Sequence, residues 1–579
     1  MKDLILLTLS IFLPAVACLS DALPGASVFY PCPFIGPTYL QPTNLSKDPT
    51  IKAAAGNTTA VLLDAIATGL LENQTTAFSL TAFSTSDEKS TPFYTFHQTP
   101  PILAEAPLGV KNVTGDTVYR VGSLSKVLTV NAHLVADGFK HFQDPIKSTV
   151  WDDITLQALA SHMGGIGVEY GALDIAKSPF PYTELDSLPK VPQQQLPPCG
   201  GPLGSPLCTR EQFLEGMTTK HPVFPAFHSP SYSNVAFSLL TYATEAITGK
   251  KFPDILQSKV FSPLNMTRSF YEKPSDDLGV IPGDPTILFW NVSGGELNPG
   301  AGYYSSPNDL AIFGRTVLGS KQLTTTQTRR WMKPVSHTAD PFASVGAPWE
   351  IARYTLPTDP YKTIDLYAKS GAFGYYTAYL ILVPDYGVGF SVNAAGSVGA
   401  TGLLANIITE SFIPALQEAS RLQTEANYAG QYVSSDKEYS FILSSDQNTP
   451  GLHLTNFTGP EDSNVFATLA LLASNGSAPA AYNAGLFGLE IDLRLFPTML
   501  EDNIKEHNGT KRVGFRAAAG LSESLPPGPF TAPCGTWLVL DTVELGGSSF
   551  DEFTFDVDEK GAAVAVNHRF LRQTFTRYD

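Results

Sequence analysis

Between Asp48 and Leu71 apolar clusters recur at helical spacing, and the stretches Thr76 to Ser84 and Thr91 to Phe96 that follow are rich in aromatic and β-branched residues. That pattern predicts one helix and then two strands. Thr117 to Val121 is a further short strand, and it runs into Ser123, after which Leu124, Val127, Leu128, Leu134 and Val135 recur at helical intervals until Asp137-Gly138 closes the pattern. Ile154 to His162 reads as a short helix ahead of the flexible Met163-Gly164-Gly165-Ile166-Gly167. Ten prolines fall between Pro179 and Pro225, which predicts irregular loop, either a lid pinned by a disulfide or a surface insertion.

Helical spacing returns at Asn234 to Thr248, closed by Gly249, and at Asp309 to Leu318. Ile364 to Ala368 and Tyr376 to Val383 predict strands, and Pro384-Asp385-Tyr386-Gly387 turns the chain into Val388 to Asn393 as a hairpin. Ala405 to Thr424 is a helix that closes the first domain. Beyond it the segments Tyr439 to Leu443, Val465 to Leu472, Leu486 to Leu495 and Thr536 to Val543 alternate between Gly, Pro, Asn and Asp breaks, as strands of a small barrel or sandwich do. The expected organisation is a leader over 1–17, a catalytic domain over 18–425 and a β-rich domain over 426–579.

Length agrees with this division, because 579 residues exceed what one hydrophobic core serves. Hydrophobic residues at 43% and charged residues at 16% place the chain among folded proteins. The net charge of −17 repels phosphates and argues against a nucleic-acid partner. Leu4 to Val16 is an apolar run ending in Ala15-Val16-Ala17, the small-x-small pattern of a cleaved signal peptide, and it is short for a bilayer span. With the polar tail Arg572 to Asp579, this predicts a secreted chain without a stable membrane anchor.

Nine Asn-x-Ser/Thr sequons, at Asn44, Asn57, Asn73, Asn112, Asn265, Asn291, Asn456, Asn475 and Asn508, fit a glycosylated secretory product. Beside Cys18 at the cleavage point stand four cysteines, read as disulfides in an oxidising compartment. Cys199 and Cys208 would close a short loop, and Cys32 with Cys534 then follows by elimination. No second Cys or His sits at zinc-like spacing, and neither H-x-H nor H-E-x-x-H occurs, so no metal or other cofactor is expected.

The pattern S-x-x-K occurs at Ser86, Ser123, Ser187 and Ser434, and only at Ser123 does a strand enter a helix. There the hydroxyl lies at the positive end of the helix dipole, and Lys126, one turn on, is placed to accept its proton. A serine hydroxyl needs such a base, and a lysine can serve when burial or a neighbouring cation destabilises its ammonium form. Tyr232-Ser233-Asn234 is the only Y-x-N in the chain and Lys369-Ser370-Gly371 the only K-[ST]-G. The three motifs follow in order at a helix start, a loop before a helix and a strand. No G-x-S-x-G elbow competes with them. His162 and His228 lie near motif loops and are read as structural or surface residues, and Gly164 to Gly167 as a loop and not a phosphate cradle.

With these motifs the sequence resembles the serine β-lactamase and penicillin-binding-protein superfamily, and within it the class C β-lactamases and their esterase and peptidase relatives. Leu159 to Gly165, Phe261 to Thr267 and Ala301 to Pro307 are similar to further loops of that group. The resemblance covers approximately Phe93 to Ala415 and implies an α/β (α+β) catalytic domain, an antiparallel sheet flanked by helices. By resemblance Ser123 is the acylated nucleophile, Lys126 and Tyr232 move its proton, and Asn234 orients substrate and Lys126. Lys369 keeps the site electropositive and pairs with a substrate carboxylate, Ser370 and Gly371 line the substrate, and the N–H groups of Ser123 and Ala372 form the oxyanion hole. The implied activity is hydrolysis of ester or amide bonds, β-lactam or peptide bonds among them, in a small-molecule or peptide acyl substrate. The alternatives are an acyltransferase using the same acyl-enzyme and a non-catalytic binding protein of the same fold.

Overall fold

The computed structural model describes residues 38–86, 92–136, 149, 151–172, 174–177, 188–201, 206–357, 359–447, 449–466, 492–502, 511–519, 536–538, 540–541 and 543–578. The chain forms two compact units, Leu40–Gln423 and Thr424–Asp579. The expected leader 1–17, Cys18, Cys32, Cys534, Asn475 and Asn508 lie outside the described residues.

Among the described residues the first unit is built on ten strands: β1 Ala77–Ser84, β2 Tyr94–Gln98, β3 Tyr119–Arg120, β4 Tyr304–Ser305, β5 Ser336–His337, β6 Ala343–Val345, β7 Glu350–Leu356, β8 Asp359–Phe373, β9 Tyr376–Val383 and β10 Val388–Ala395. Eight of them make one antiparallel sheet in the order β2-β1-β10-β9-β8-β7-β6-β5, and β3 and β4 form a separate pair. Helices cover both faces of the large sheet, so β1 and β10 are buried along their whole length. On one face Leu80, Ile381 and Phe390 pack with Leu62 of helix Pro49–Ala67 and with Leu404 and Phe412 of helix Ala400–Tyr428. On the other, Phe83, Leu380 and Leu382 pack with Leu310 and Phe313 of helix Pro307–Leu318, in one core with Leu128 of helix Ser125–Ala136 and Leu240 of helix Val235–Thr248. The alternation of Leu380 and Leu382 with Ile381 between the two faces is the period of a strand buried on both sides.

The α/β architecture with its antiparallel sheet is the expected one. The proline-rich segment holds a surprise, because Arg210–Thr219 is a helix where loop alone was predicted. No proline occurs from Leu207 to His221, Thr209 and Gln212 cap the start reciprocally, and Phe213 and Met217 are buried. Cys199 and Cys208 form the expected disulfide just before that helix. Asn44, Asn57, Asn112, Asn265, Asn291 and Asn456 are exposed, and Asn73 is half-buried.

The second unit is a closed antiparallel barrel of β11 Gly430–Ser434, β12 Ser440–Ser444, β13 Leu452–Thr458, β14 Leu493–Asp502, β15 Lys511–Ala519, β16 Glu552–Val557, β17 Ala563–His568 and β18 Gln573–Tyr578. Of the strands expected here, Thr536 to Val543 is instead a short 3-10 turn at Thr536–Leu538, and most of Val465 to Leu472 lies outside the described residues. Closure removes the exposed edges that a sandwich would leave. Aromatic side chains fill the interior: the Phe441 ring lies 4.8 Å from Phe575, 5.2 Å from Tyr432 and 5.3 Å from Phe457, and all four are buried. Phe441→Ala empties the middle of this cluster and is expected to cost about 3–5 kcal/mol. Urea unfolding of the full chain, followed by near-ultraviolet circular dichroism, would show the barrel transition at lower denaturant.

Candidate active site

The strand pair β3–β4 sets the entry to the turn that carries Ser123, the expected nucleophile. Arg120 at the end of β3 is buried and donates from Nη1 to the carbonyls of Phe289 at 2.6 Å and Val292 at 2.5 Å, while its guanidinium stacks on the Phe373 ring at 3.9 Å. After Val121 the chain makes one 3-10 turn, Gly122–Leu124, and continues as helix Ser125–Ala136. Gly122 has a φ of 53°, and a Cβ there would stand 2.5 Å from the Ala372 nitrogen. A Cβ at Gly371 would stand 2.0 Å from the Val121 oxygen and 3.0 Å from the Ser123 nitrogen. The nucleophile turn and β8 therefore touch backbone to backbone, an approach only glycine permits. It brings the main chains of Ser123 and Ala372 together.

Ser123 is half-buried and Lys126 fully buried. Lys126 Nζ lies 2.9 Å from Ser123 Oγ, 2.5 Å from Asn234 Oδ1 and 2.6 Å from the Gly300 oxygen. Burial, and then the Lys369 charge, hold its pKa well below the ordinary lysine value, against opposing pulls from Glu169 and Glu350. In the neutral amine two N–H bonds serve Asn234 and Gly300, which leaves the lone pair facing Ser123 Oγ. Asn234 stands at the N-cap of helix Val235–Thr248 yet makes no capping bond with its side chain. Its Oδ1 accepts from Lys126 and its Nδ2 donates to Glu169 Oε1. Burial raises Glu169 to a pKa of about 7, against the Asn234 bond and the Lys126 charge.

Tyr232 closes the other side of the Ser123–Lys126 pair. Its ring lies 4.8 Å from Lys126 Nζ and 5.3 Å from Lys369 Nζ, and the His162 ring stacks on it at 4.5 Å. Burial raises the Tyr232 pKa although the Lys369 charge and the bond to Ser123 oppose the shift, so the phenol carries its proton at neutral pH. His162 is buried, accepts from the Ser233 N–H at 3.2 Å through Nδ1, and is kept neutral by burial and by the two lysines. It backs the tyrosine as a packing residue. His228 lies four residues before Tyr232 with its ring 5.8 Å from Phe224.

Lys369, on β8, is fully buried, and its Nζ donates to Glu350 Oε1 and, at 2.8 Å, to the Ser370 oxygen. Glu350 Oε2 accepts the Ser370 N–H at 2.9 Å. Burial opposes the Lys369 charge, but Glu350 and Tyr232 outweigh it and raise its pKa. The Lys369 charge thus already has a partner within the protein. Gly371 touches the nucleophile turn, and Ala372 is exposed beside it.

Glu169, Glu350 and Gly300 belong to the site without having been singled out in the sequence. Glu350 carries no motif. It starts β7, and the pairing of Glu350 with Ala368 is what sets it beside Lys369. Glu169 follows Gly164 to Gly167 by two residues, and the only available signal was a carboxylate at the end of that loop.

The β-lactamase family profile matches residues 104–407, and a profile described as a beta-lactamase-like C-terminal domain matches residues 420–579. A beta-lactamase-like protein of Arthroderma benhamiae is 29% identical across 96% of this chain and 97% of its own. A probable hydrolase, M10, of a Phoma species is 28% identical across 62% of this chain and 63% of its own. Among solved structures, an octameric penicillin-binding-protein homologue from Pyrococcus abyssi matches 90% of this chain and 99% of its own at 17% identity and a TM-score of 0.47. With more than half its length in the family match and Ser123, Lys126, Tyr232 and Lys369 gathered at one point, the chain belongs to the β-lactamase-like hydrolase family.

Proposed function

We propose that the chain is a secreted serine hydrolase that cleaves ester or amide bonds through an acyl-enzyme on Ser123. The observation that carries this reading is the buried, deprotonation-prone Lys126 with its Nζ 2.9 Å from Ser123 Oγ. As Ser123 Oγ bonds to the substrate carbonyl carbon, its proton passes to Lys126. The Tyr232 phenol protonates the departing alcohol or amine as the carbonyl bond to it breaks, and Lys126 returns the proton to Tyr232. A water then attacks the acyl-enzyme, gives one proton to the same pair, and releases the acid with Ser123 restored. Opposite shifts of Lys126 and Tyr232 suit this division of base and acid. The N–H groups of Ser123 and Ala372 stabilise the oxyanion, and Ser370 and Gly371 form the strand along which the acyl portion lies. Secretion is supported by the Cys199–Cys208 disulfide and the exposed sequons.

Intact-mass analysis after treatment with a fluorophosphonate is expected to show one adduct on the deglycosylated protein and none on Ser123→Ala. The same variant should lose roughly 10³-fold or more in kcat/KM on an activated ester. Persistence of the adduct in Ser123→Ala overturns the assignment. Mass loss on treatment of the cell-exported protein with an N-glycosidase checks the secretory route.

The Glu169 carboxylate pulls the Lys126 pKa upward through space, and Lys126 works only as the free amine. Glu169→Gln therefore moves the acid limb of kcat/KM to lower pH, as a pH–rate profile would show. An unmoved limb would separate Glu169 from the base.

A further inference from the structure

Resting on the reading of Ser123 as nucleophile, we infer that this site selects acyl substrates without a carboxylate, uncharged esters or amides with an apolar acyl group, and that Glu350 sets this selection. A substrate carboxylate needs a cation that is accessible and not already paired. Lys369 is neither: its side chain has no exposed surface, and its ammonium donates to the Glu350 carboxylate and the Ser370 carbonyl. Lys126 offers no second chance, because as the working base it is neutral and its N–H bonds are taken by Asn234 and Gly300. Arg120 gives its guanidinium to the carbonyls of Phe289, Val292 and Gly302. The Lys220 charge acts on Glu169. With Lys126 neutral, the Lys369 and Glu350 charges cancel, and Glu169, as it ionises near pH 7, offsets Lys220. Once Glu169 is ionised, these groups thus offer an anionic acyl group no net positive charge.

The approach to Tyr232 points the same way. Residues 222–232 contain no Asp, Glu, Lys or Arg. Their backbone is fastened to the loop carrying His162 and Glu169, with Val223 N–H donating to the Gly165 oxygen at 2.7 Å, Phe227 to Met163 at 2.7 Å and Ser231 to His162 at 2.8 Å. The side chains of Val223, Phe224 and Phe227 are left exposed. An apolar acyl group is the chemistry such a segment accommodates.

Two esters of one leaving group and one chain length test this: p-nitrophenyl valerate and mono-p-nitrophenyl glutarate, which differ by a terminal carboxylate. The wild type is expected to favour valerate in kcat/KM by on the order of 10-fold or more. Glu350→Gln keeps the shape and removes the counter-charge, and is expected to shift the ratio toward glutarate by about 10-fold. Glu350→Asp retains the charge and should keep the wild-type ratio. A wild type that prefers the glutarate ester overturns the inference, as does an active Glu350→Gln whose ratio is unchanged. The wild-type ratio stands as a test even where Glu350→Gln does not fold. Fluorophosphonate labelling in parallel separates the two readings: labelling at Ser123 with a flat ester ratio sinks only the charge selection, and failure to label Ser123 sinks the nucleophile and the selection with it.

Discussion

Two lysines are taken out of water within one pocket, and the different partners given to each decide what the site can do. Lys126 meets only neutral acceptors, the Ser123 hydroxyl, the Asn234 amide and the Gly300 carbonyl, so desolvation prevails and its ammonium form is destabilised. Lys369 touches a carboxylate, and Glu350 outweighs the same desolvation. One ammonium is thereby destabilised and the other held as a fixed cation whose field bears on Lys126 and Tyr232. Tyr232 lies over both, raised by burial and eased downward by Lys369.

That arrangement depends on β8. The strand carries Lys369 toward Tyr232, holds Gly371 against the backbone of the nucleophile turn, and places Ala372 beside Ser123. Its other neighbour, β7, delivers Glu350 by register. Because the sheet is packed on both faces by helices, β8 has little freedom to shift relative to helix Ser125–Ala136, and the distances in the site follow from the packing of the sheet. The family membership accounts for the shared frame.

Much of the frame was legible locally. Ser123 stood out because a strand ran into an amphipathic helix there, and the helices Val235–Thr248 and Pro307–Leu318 and the hairpin β9–β10 were announced by their periodicity and turn residues. The helix Arg210–Thr219 escaped notice because the prolines on either side dominated the composition of the whole segment, while its capping pair Thr209 and Gln212 was the overlooked signal. Thr536 to Val543 has the β-branched and aromatic content of a strand, but within its described residues only the turn Thr536–Leu538 forms, since strand propensity acts only where a neighbour offers a ladder.

The sequence by itself determined the candidate set Ser123, Lys126 and Tyr232 and the K-S-G strand, because each is a short motif whose residues stand a few positions apart or follow in a recurring order. Only the tertiary structure decided the charge of the site. Lys369 reads as a free cation along the chain, and the register of β7 against β8 gives it Glu350 as a counter-ion. Glu169 reads as a loop carboxylate, and the docking of that loop on the Tyr232–Asn234 segment turns it into a half-buried partner of Asn234. Both pairings join residues distant in sequence, and strand register and loop docking are set by the summed burial of the whole sheet and core, which no local pattern encodes.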